Sequence, residues 1–114
     1  MQHLFKLASF CLILLYLNGC GTANSHLPEP VKLDAELASI YQTTCQNCHG
    51  NAASPAPQTG DQERWQSILS AGMDTVMERV MGGYRGMPPA GQCFECSPEQ
   101  LQQLVLYMAA PGDA

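Results

Sequence analysis

The chain has 114 residues, and its ten acidic and five basic side chains give a formal net charge of −5 at pH 7. This length predicts a single domain. The acidic balance argues against a nucleic-acid-binding protein, because such proteins need clustered Lys and Arg to neutralise phosphates. It permits partners that present a basic face.

The N-terminal segment carries an apolar run of eleven residues, LASFCLILLYL at 7–17, directly after Lys6. A basic start, a short apolar stretch and small residues are typical of a secretory signal peptide. The run is too short to cross a bilayer, which takes about 20 apolar residues. It also lacks the polar face of a core helix. Residues 1–19 are therefore predicted to be a signal peptide, whose removal leaves a net charge of −6.

The run ends in LNGC at 17–20, which resembles a bacterial lipoprotein signal in which Cys20 is lipidated and becomes the mature N-terminus. Asn18 is unusual in that pattern, and the alternative is simple cleavage that leaves Cys20 as a free thiol. Several acyl chains would anchor the protein firmly. Gly21, which is not aspartate, favours sorting to the outer membrane. Residues 20–33 are rich in small residues and proline, which predicts a flexible tether.

Four helices are predicted between residues 34 and 110, the folded domain, with 111–114 as a C-terminal tail. Each begins at a residue whose side chain can cap free N–H groups, namely Asp34, Asp61, Asp74 and Ser97. Glycine and proline predict loops over residues 51–61 and 84–96, and the Pro88-Pro89 pair argues against a helix there. Because no alternating strand pattern occurs, the fold is predicted to be all-α.

The segment CQNCHG at 45–50 places two cysteines three positions apart with a histidine immediately after them. C-x-x-C-H is the attachment motif of c-type haem. Each sulfur adds to one porphyrin vinyl group, and the histidine binds the iron. We predict that Cys45 and Cys48 hold one haem covalently and that His49 is an axial ligand. One alternative is a zinc ribbon that also uses the second cysteine pair, but the intervening 44 residues exceed its usual spacing. The other alternative is a plain disulfide between Cys45 and Cys48.

Met87 is the predicted second axial ligand. It stands in a loop between Gly86 and Pro88-Pro89, where glycine permits close approach to the haem and proline fixes the loop. Met73 is the alternative, since it precedes a helix cap. The other mature methionines fall on predicted helical faces and are assigned to the core: Met77, Met81 and Met108. Two protein ligands leave no open iron position, which favours electron transfer over oxygen binding or peroxidase chemistry.

The second C-x-x-C pair, Cys93 and Cys96, is followed by Ser97 and not by histidine. It is therefore a poor second haem site. In an oxidising compartment two nearby cysteines favour a disulfide. A redox-active pair is the alternative.

Four stretches resemble cytochrome c5, a small bacterial class I cytochrome c: CQNCHG at 45–50, APQTGD at 56–61, AGMDTVMERVMGGYRGMPP at 71–89 and GQCFECSPEQLQQLVLYM at 91–108. The resemblance implies the cytochrome c fold, with about four helices around one covalent haem and with the first and last helices crossing. It implies that the Pro57 carbonyl accepts a hydrogen bond from His49. It also implies that Trp65 packs near the haem, with its indole N–H directed at a propionate, and that Cys93 and Cys96 form a disulfide.

The predicted function is one-electron transfer by an electron carrier, which is not an enzyme. We expect an exported monomer on the periplasmic side of a bacterial membrane, anchored through its N-terminus and in transient contact with redox proteins. One alternative is a haem subunit or sensor docked permanently to an enzyme. Another is a haem protein that binds diatomic ligands or acts as a peroxidase.

Overall fold

The computed structural model describes residues 31–111. The predicted signal peptide, Cys20, most of the tether and residues 112–114 lie outside the described residues. Within residues 31–111, no helix is both long enough and apolar enough to cross a membrane.

The described chain is helical. Its α-helices are α1 (Ala35–Thr43), α2 (Gln46–His49), α3 (Gln62–Leu69), α4 (Met73–Gly82) and α5 (Pro98–Ala109), with a 3-10 helix at Pro89–Gln92. Apart from one isolated bridge between Tyr84 and Met87, residues 31–111 contain no β-structure. The all-α prediction is confirmed. The additional helix, α2, is a single turn that carries the second half of the C-x-x-C-H segment.

Three of the four predicted N-caps are confirmed. Asp34 Oδ1 accepts a hydrogen bond from the Leu37 amide at 2.8 Å, and Asp61 caps α3 in the same way. At α5, the Ser97 hydroxyl accepts from the Gln100 amide while the Gln100 side chain accepts from the Ser97 amide. These contacts satisfy N–H groups that have no partner within the helix.

Asp74 was the wrong choice for the cap of α4, since the helix begins one residue earlier, at Met73. Gly72 precedes it with φ +88°, a left-handed conformation that favours glycine. The chain therefore turns at Gly72, and Asp74 lies within the first helical turn, where its carboxylate still faces the positive end of the helix dipole.

The expectation of a purely irregular loop at Pro88-Pro89 was also wrong, because Pro89 opens the short 3-10 helix. Proline is tolerated at the first position of a helix, where its missing N–H would have no acceptor. The segment is kinked, with φ +53° at Ala90 and +58° at Gly91.

Helix α5 is the main wall of the core, which its buried residues form together with those of α1, α3 and α4. It packs on α1, where the Tyr41 and Tyr107 rings meet edge to face with centroids 5.0 Å apart. Met108 is buried as predicted, but Met81 is 49% exposed and does not belong to the core. Val76 and Val80 face inward from α4, and Met81, one residue further round the helix, points away from them.

Candidate haem site

A cleft with an empty volume of about 650 Å³, partly open to solvent, lies between the helices. Cys45, Cys48 and His49 line it, as does the loop that contains Met87. The α5 part of its lining is apolar: Leu101, Leu104, Val105 and Met108. The structure thus brings the predicted attachment residues and the predicted methionine to one cavity.

Cys45 and Cys48 are held on one helical turn. Cys45 has helical backbone angles, and its carbonyl accepts a hydrogen bond from the His49 amide at 2.9 Å. Both thiols are free, with Cys45 half-buried and Cys48 exposed. Burial raises the pKa of the Cys45 thiol, and the nearby Thr44 hydroxyl offsets part of that rise. Two free sulfurs on one turn at a cleft are the donor set that covalent haem attachment requires.

His49 is buried, with 7% of its surface exposed. Its Nδ1 lies 2.7 Å from the Pro57 carbonyl oxygen. A carbonyl can only accept, so Nδ1 carries the proton and donates, and Nε2 keeps its lone pair. That tautomer is the one that suits a metal ligand, and the carbonyl fixes the orientation of the ring.

The loop that supplies the Pro57 carbonyl is tied directly to the attachment turn. The Thr59 amide donates to the His49 carbonyl at 2.7 Å, and the Gln58 side-chain amide donates to the Cys48 carbonyl at 3.2 Å. Further on, the Gly60 amide donates to a carbonyl of α5 at 2.8 Å. Hydrogen bonds therefore fix this loop both to the attachment turn and to α5, and this gives the Pro57 oxygen a defined position.

Trp65 lies beside the site, with its ring centroid 5.9 Å from that of His49 and only 3% of its surface exposed. Its indole N–H donates to the Gln58 carbonyl at 2.8 Å. The loop thus uses the single N–H donor of the indole in this structure. The expected contact of this N–H with a haem propionate stays a prediction.

Arg64 adds a second clamp on the same loop, which the sequence reasoning missed. Its guanidinium donates to the carbonyls of Pro55 at 2.8 Å and Ala56 at 3.3 Å. No local sequence signal marks these bonds, because backbone acceptors can lie beside any residue type.

Met87 is half-buried in the loop that follows α4. Its amide and carbonyl exchange hydrogen bonds with those of Tyr84 at 3.0 and 3.1 Å. Gly83 precedes this tight turn with φ +82°, and a Cβ there would lie 3.1 Å from the Met87 oxygen. Among the described residues, Met87 and Met108 are the methionines that line the cleft, whereas Met73 packs against the core elsewhere.

Cys93 and Cys96 are joined by a disulfide, with Cα atoms 5.4 Å apart. Cys93 is almost fully buried, and Cys96 leads directly into the Ser97 cap of α5. The second C-x-x-C pair thus lies between the Met87 loop and the last helix.

Several bacterial cytochromes are similar in sequence to this chain. The chain is 31% identical over 72 residues to cytochrome c5 of Ectopseudomonas mendocina, covering 61% of this chain and 83% of the relative. It is 33% identical over 67 residues to cytochrome c5 of Azotobacter vinelandii, covering 57% and 81%. The chain belongs to the cytochrome c5 family. This cytochrome is also 31% identical over 78 residues to cytochrome c-555 of Prosthecochloris aestuarii, covering 61% and 79%.

Two further comparisons agree. Residues 33–108 of this cytochrome match the family described as cytochrome C oxidase, cbb3-type, subunit III, to which it therefore also belongs. Its fold resembles a solved chain in the crystal structure of an electron transfer complex of nitrite reductase with cytochrome c, with a TM-score of 0.58, 31% identity, and coverage of 68% of this chain and 95% of that one.

These matches confirm the class I cytochrome c fold and one covalently bound haem c as the cofactor. The cleft fits that group, since it combines two free thiols on one turn, an imidazole with an available Nε2 and an apolar wall.

Proposed function

We propose that this small c-type cytochrome transfers single electrons between exported redox proteins, with His49 and Met87 as the axial ligands of its haem iron. The observation that carries the proposal is the joint presence, at one cleft, of an oriented imidazole and a methionine in a constrained loop. When bound, haem supplies an iron that cycles between ferric and ferrous states. The chain's own residues hold the ligands and exclude water.

The two proposed ligand residues are positioned by different means. The Pro57 carbonyl orients His49, whereas the reciprocal hydrogen bonds with Tyr84 fix the backbone of Met87. Because both are positioned before an electron arrives, little of the protein has to move when the iron charge changes. If His49 and Met87 both bind the iron, no iron position would be open to oxygen or peroxide, so we propose an electron carrier and not an enzyme.

The exposed Cys48 indicates where electrons enter and leave. Cys45 is half-buried and Cys48 is exposed, so the attachment edge of the cleft reaches the surface. A redox partner that covers this edge comes within short range of the cofactor. Such contacts are small and transient, and they suit a monomer.

We place the protein on the periplasmic side of a bacterial membrane, tethered through a lipid on Cys20. The sequence pattern of residues 1–33 supports export and lipidation, and a disulfide persists in oxidising compartments. Substitution Cys20→Ser is expected to move the protein from the membrane fraction to the soluble periplasmic fraction. An unchanged membrane fraction would contradict the lipid anchor without affecting the haem site.

The test of the ligand set is the visible spectrum of protein made in a host that attaches haem. The ferric protein should show the weak far-red band of methionine-ligated iron. Met87→Ala should abolish the band, lower the reduction potential and let the ferrous form bind carbon monoxide. Met81→Ala is the matched control, since Met81 is half-exposed and lies outside the cleft lining. A band that survives Met87→Ala would assign the sixth ligand to another residue.

A permanently docked haem subunit is the second candidate. The matched family is described as an oxidase subunit, which favours this candidate. Gel filtration of a detergent extract from the native host distinguishes the two. A free carrier elutes at the size of one chain with its detergent, whereas a docked subunit elutes with a larger assembly.

A further inference from the structure

Two guanidinium groups lie over the same exposed aromatic ring. The Arg79 Cζ is 4.7 Å and the Arg85 Cζ is 5.2 Å from the centroid of the Tyr84 ring. Tyr84 is 42% exposed. The three side chains, Arg79, Tyr84 and Arg85, are named here the Arg–Tyr–Arg surface.

This surface is built into the turn that presents Met87. Arg85 has φ +53°, an uncommon conformation for a residue other than glycine. The reciprocal hydrogen bonds between Tyr84 and Met87 close the turn around it. Gly86 and Met87, the next two residues, line the cleft. The Arg–Tyr–Arg surface is therefore at the rim of the haem site.

The local charge is opposite to that of the whole chain. The chain has ten acidic and only five basic residues, and two of those five lie on this one ring. Glu78 precedes Arg79 on α4, but adjacent residues on a helix point in different directions. A positive spot at the rim of a cofactor cleft, on an otherwise acidic protein, steers an anionic group to that rim.

Stacking also prepares the guanidinium groups to bind carboxylates. An Arg that lies over an aromatic face keeps its in-plane N–H groups available for bidentate hydrogen bonds, and it has lost less freedom than an unsupported side chain when the bond forms. Two such groups on one ring offer two bidentate donors to carboxylates on a protein surface.

We propose that the Arg–Tyr–Arg surface is a docking point for a redox protein that carries carboxylates beside its own electron-entry site. The inference rests on the proposed electron-transfer function and adds the chemistry of the partner. The partner it names differs from the basic-faced partner that the net charge alone permits. An anionic lipid surface is the less favoured occupant, because two Arg attract lipid weakly and the acidic remainder of the chain is repelled.

The test uses the haem-loaded protein and two anionic probes. Hexacyanochromate(III), which is paramagnetic, should broaden the amide signals of residues 79–87 most strongly. Hexacyanoferrate(III) should oxidise the ferrous protein at a rate measured by stopped flow over a range of ionic strength. The variant Arg79→Gln/Arg85→Gln should lose the selective broadening and react at least about fivefold more slowly at low ionic strength, with the difference vanishing at high salt.

The matched control is Lys32→Glu, which changes the net charge by the same amount at an exposed position outside the Arg–Tyr–Arg surface. Equal slowing in this control and in the double variant would overturn the proposal, because net charge alone would then explain the rate. Selective broadening of residues 79–87 by phosphatidylglycerol vesicles and not by hexacyanochromate would overturn it in favour of lipid.

A ferrous protein that neither hexacyanoferrate nor a cationic cobalt(III) complex oxidises would refute the electron-transfer function itself. Normal oxidation without any Arg dependence refutes only the docking point.

Discussion

The two C-x-x-C segments have the same spacing and different structures. The first, at 45–48, lies on a helical turn, and its thiols are free and line the cleft. The second, at 93–96, lies in a turn before α5, and its sulfurs are joined. Spacing alone therefore does not decide what a cysteine pair does.

The residue after each pair shows the difference most clearly. His49 follows the first pair, and its buried ring donates to the Pro57 carbonyl. Ser97 follows the second pair, and its hydroxyl caps α5. One segment thus ends in a metal-ligand candidate and the other in a helix start, so we expect the first to govern the cofactor and the second to govern stability.

The largest expected effect comes from removing the first pair. Cys45→Ser with Cys48→Ser leaves no sulfur to add to the porphyrin, so haem retained after acid–acetone extraction should fall to zero. Cys93→Ser with Cys96→Ser is the matched control and should retain full haem. Loss of covalent haem from the second variant would refute the division of roles.

Removal of the second pair should instead appear in the free energy of unfolding. The disulfide closes a very short loop, so its chain-entropy contribution is about 2 kcal/mol. Cys93→Ser with Cys96→Ser should lower the free energy of unfolding by about that amount in urea titrations of the haem-loaded protein. The far-red band should remain, which separates lost stability from lost ligation. An unchanged urea midpoint would contradict the prediction.

The Ser97 cap should contribute less. Ser97→Ala leaves the Gln100 amide without its acceptor and should cost about 1 kcal/mol in the free energy of unfolding. Ser39→Ala, at an exposed position within α1, is the control and should cost less. Equal losses in urea titrations would show that the capping contact contributes nothing specific.

The smallest expected effect is on the pH dependence of stability. It comes from Tyr41 on α1, the helix that leads into the first cysteine pair. Burial raises the pKa of the Tyr41 phenol above its usual value of 10.0, although its hydrogen bond with Thr59 works in the opposite direction. As pH rises, the Tyr41 phenol therefore loses its proton first in the unfolded chain. Its contribution to the free energy of unfolding is complete below the pKa of the unfolded chain and is lost as pH rises through the pKa of the folded protein.

Absorbance titration of the haem-loaded protein, in which Cys45 no longer has a thiol proton, checks this order of ionisation. Tyr41→Phe should make stability less dependent on pH above about 10. A tyrosine that ionises at its ordinary pKa in the folded protein would contradict the assignment.

The sequence predicted those parts of the fold that depend on neighbours three or four residues apart. Asp34 and Ser97 cap their helices because the groups they bond lie within the next turn. The prediction of Asp74 as an N-cap was wrong because the left-handed Gly72 starts the helix earlier. The assignment of Met81 to the core was wrong because hydrophobicity does not reveal which side of α4 faces the core.

The residues of the candidate site likewise fall into those that a local motif predicted and those that it did not. Cys45, Cys48 and His49 were found from one contiguous motif. Three contacts were not predicted. They are the hydrogen bonds of Arg64 to the loop, the bond from the Trp65 indole to the Gln58 carbonyl, and the stacking of Arg79 on Tyr84. These contacts use backbone carbonyls and ring faces, which every sequence contains and which become partners only when the chain folds.

The sequence by itself determined the haem-attachment turn and most of the helix starts, because these depend on covalent spacing and on hydrogen bonds within one turn. Only the tertiary structure decided that Met87 faces the same cleft as His49 and which imidazole nitrogen is left without a proton. Those outcomes depend on packing between segments far apart in the chain, and α5 and the loop at 55–60 bring these segments together.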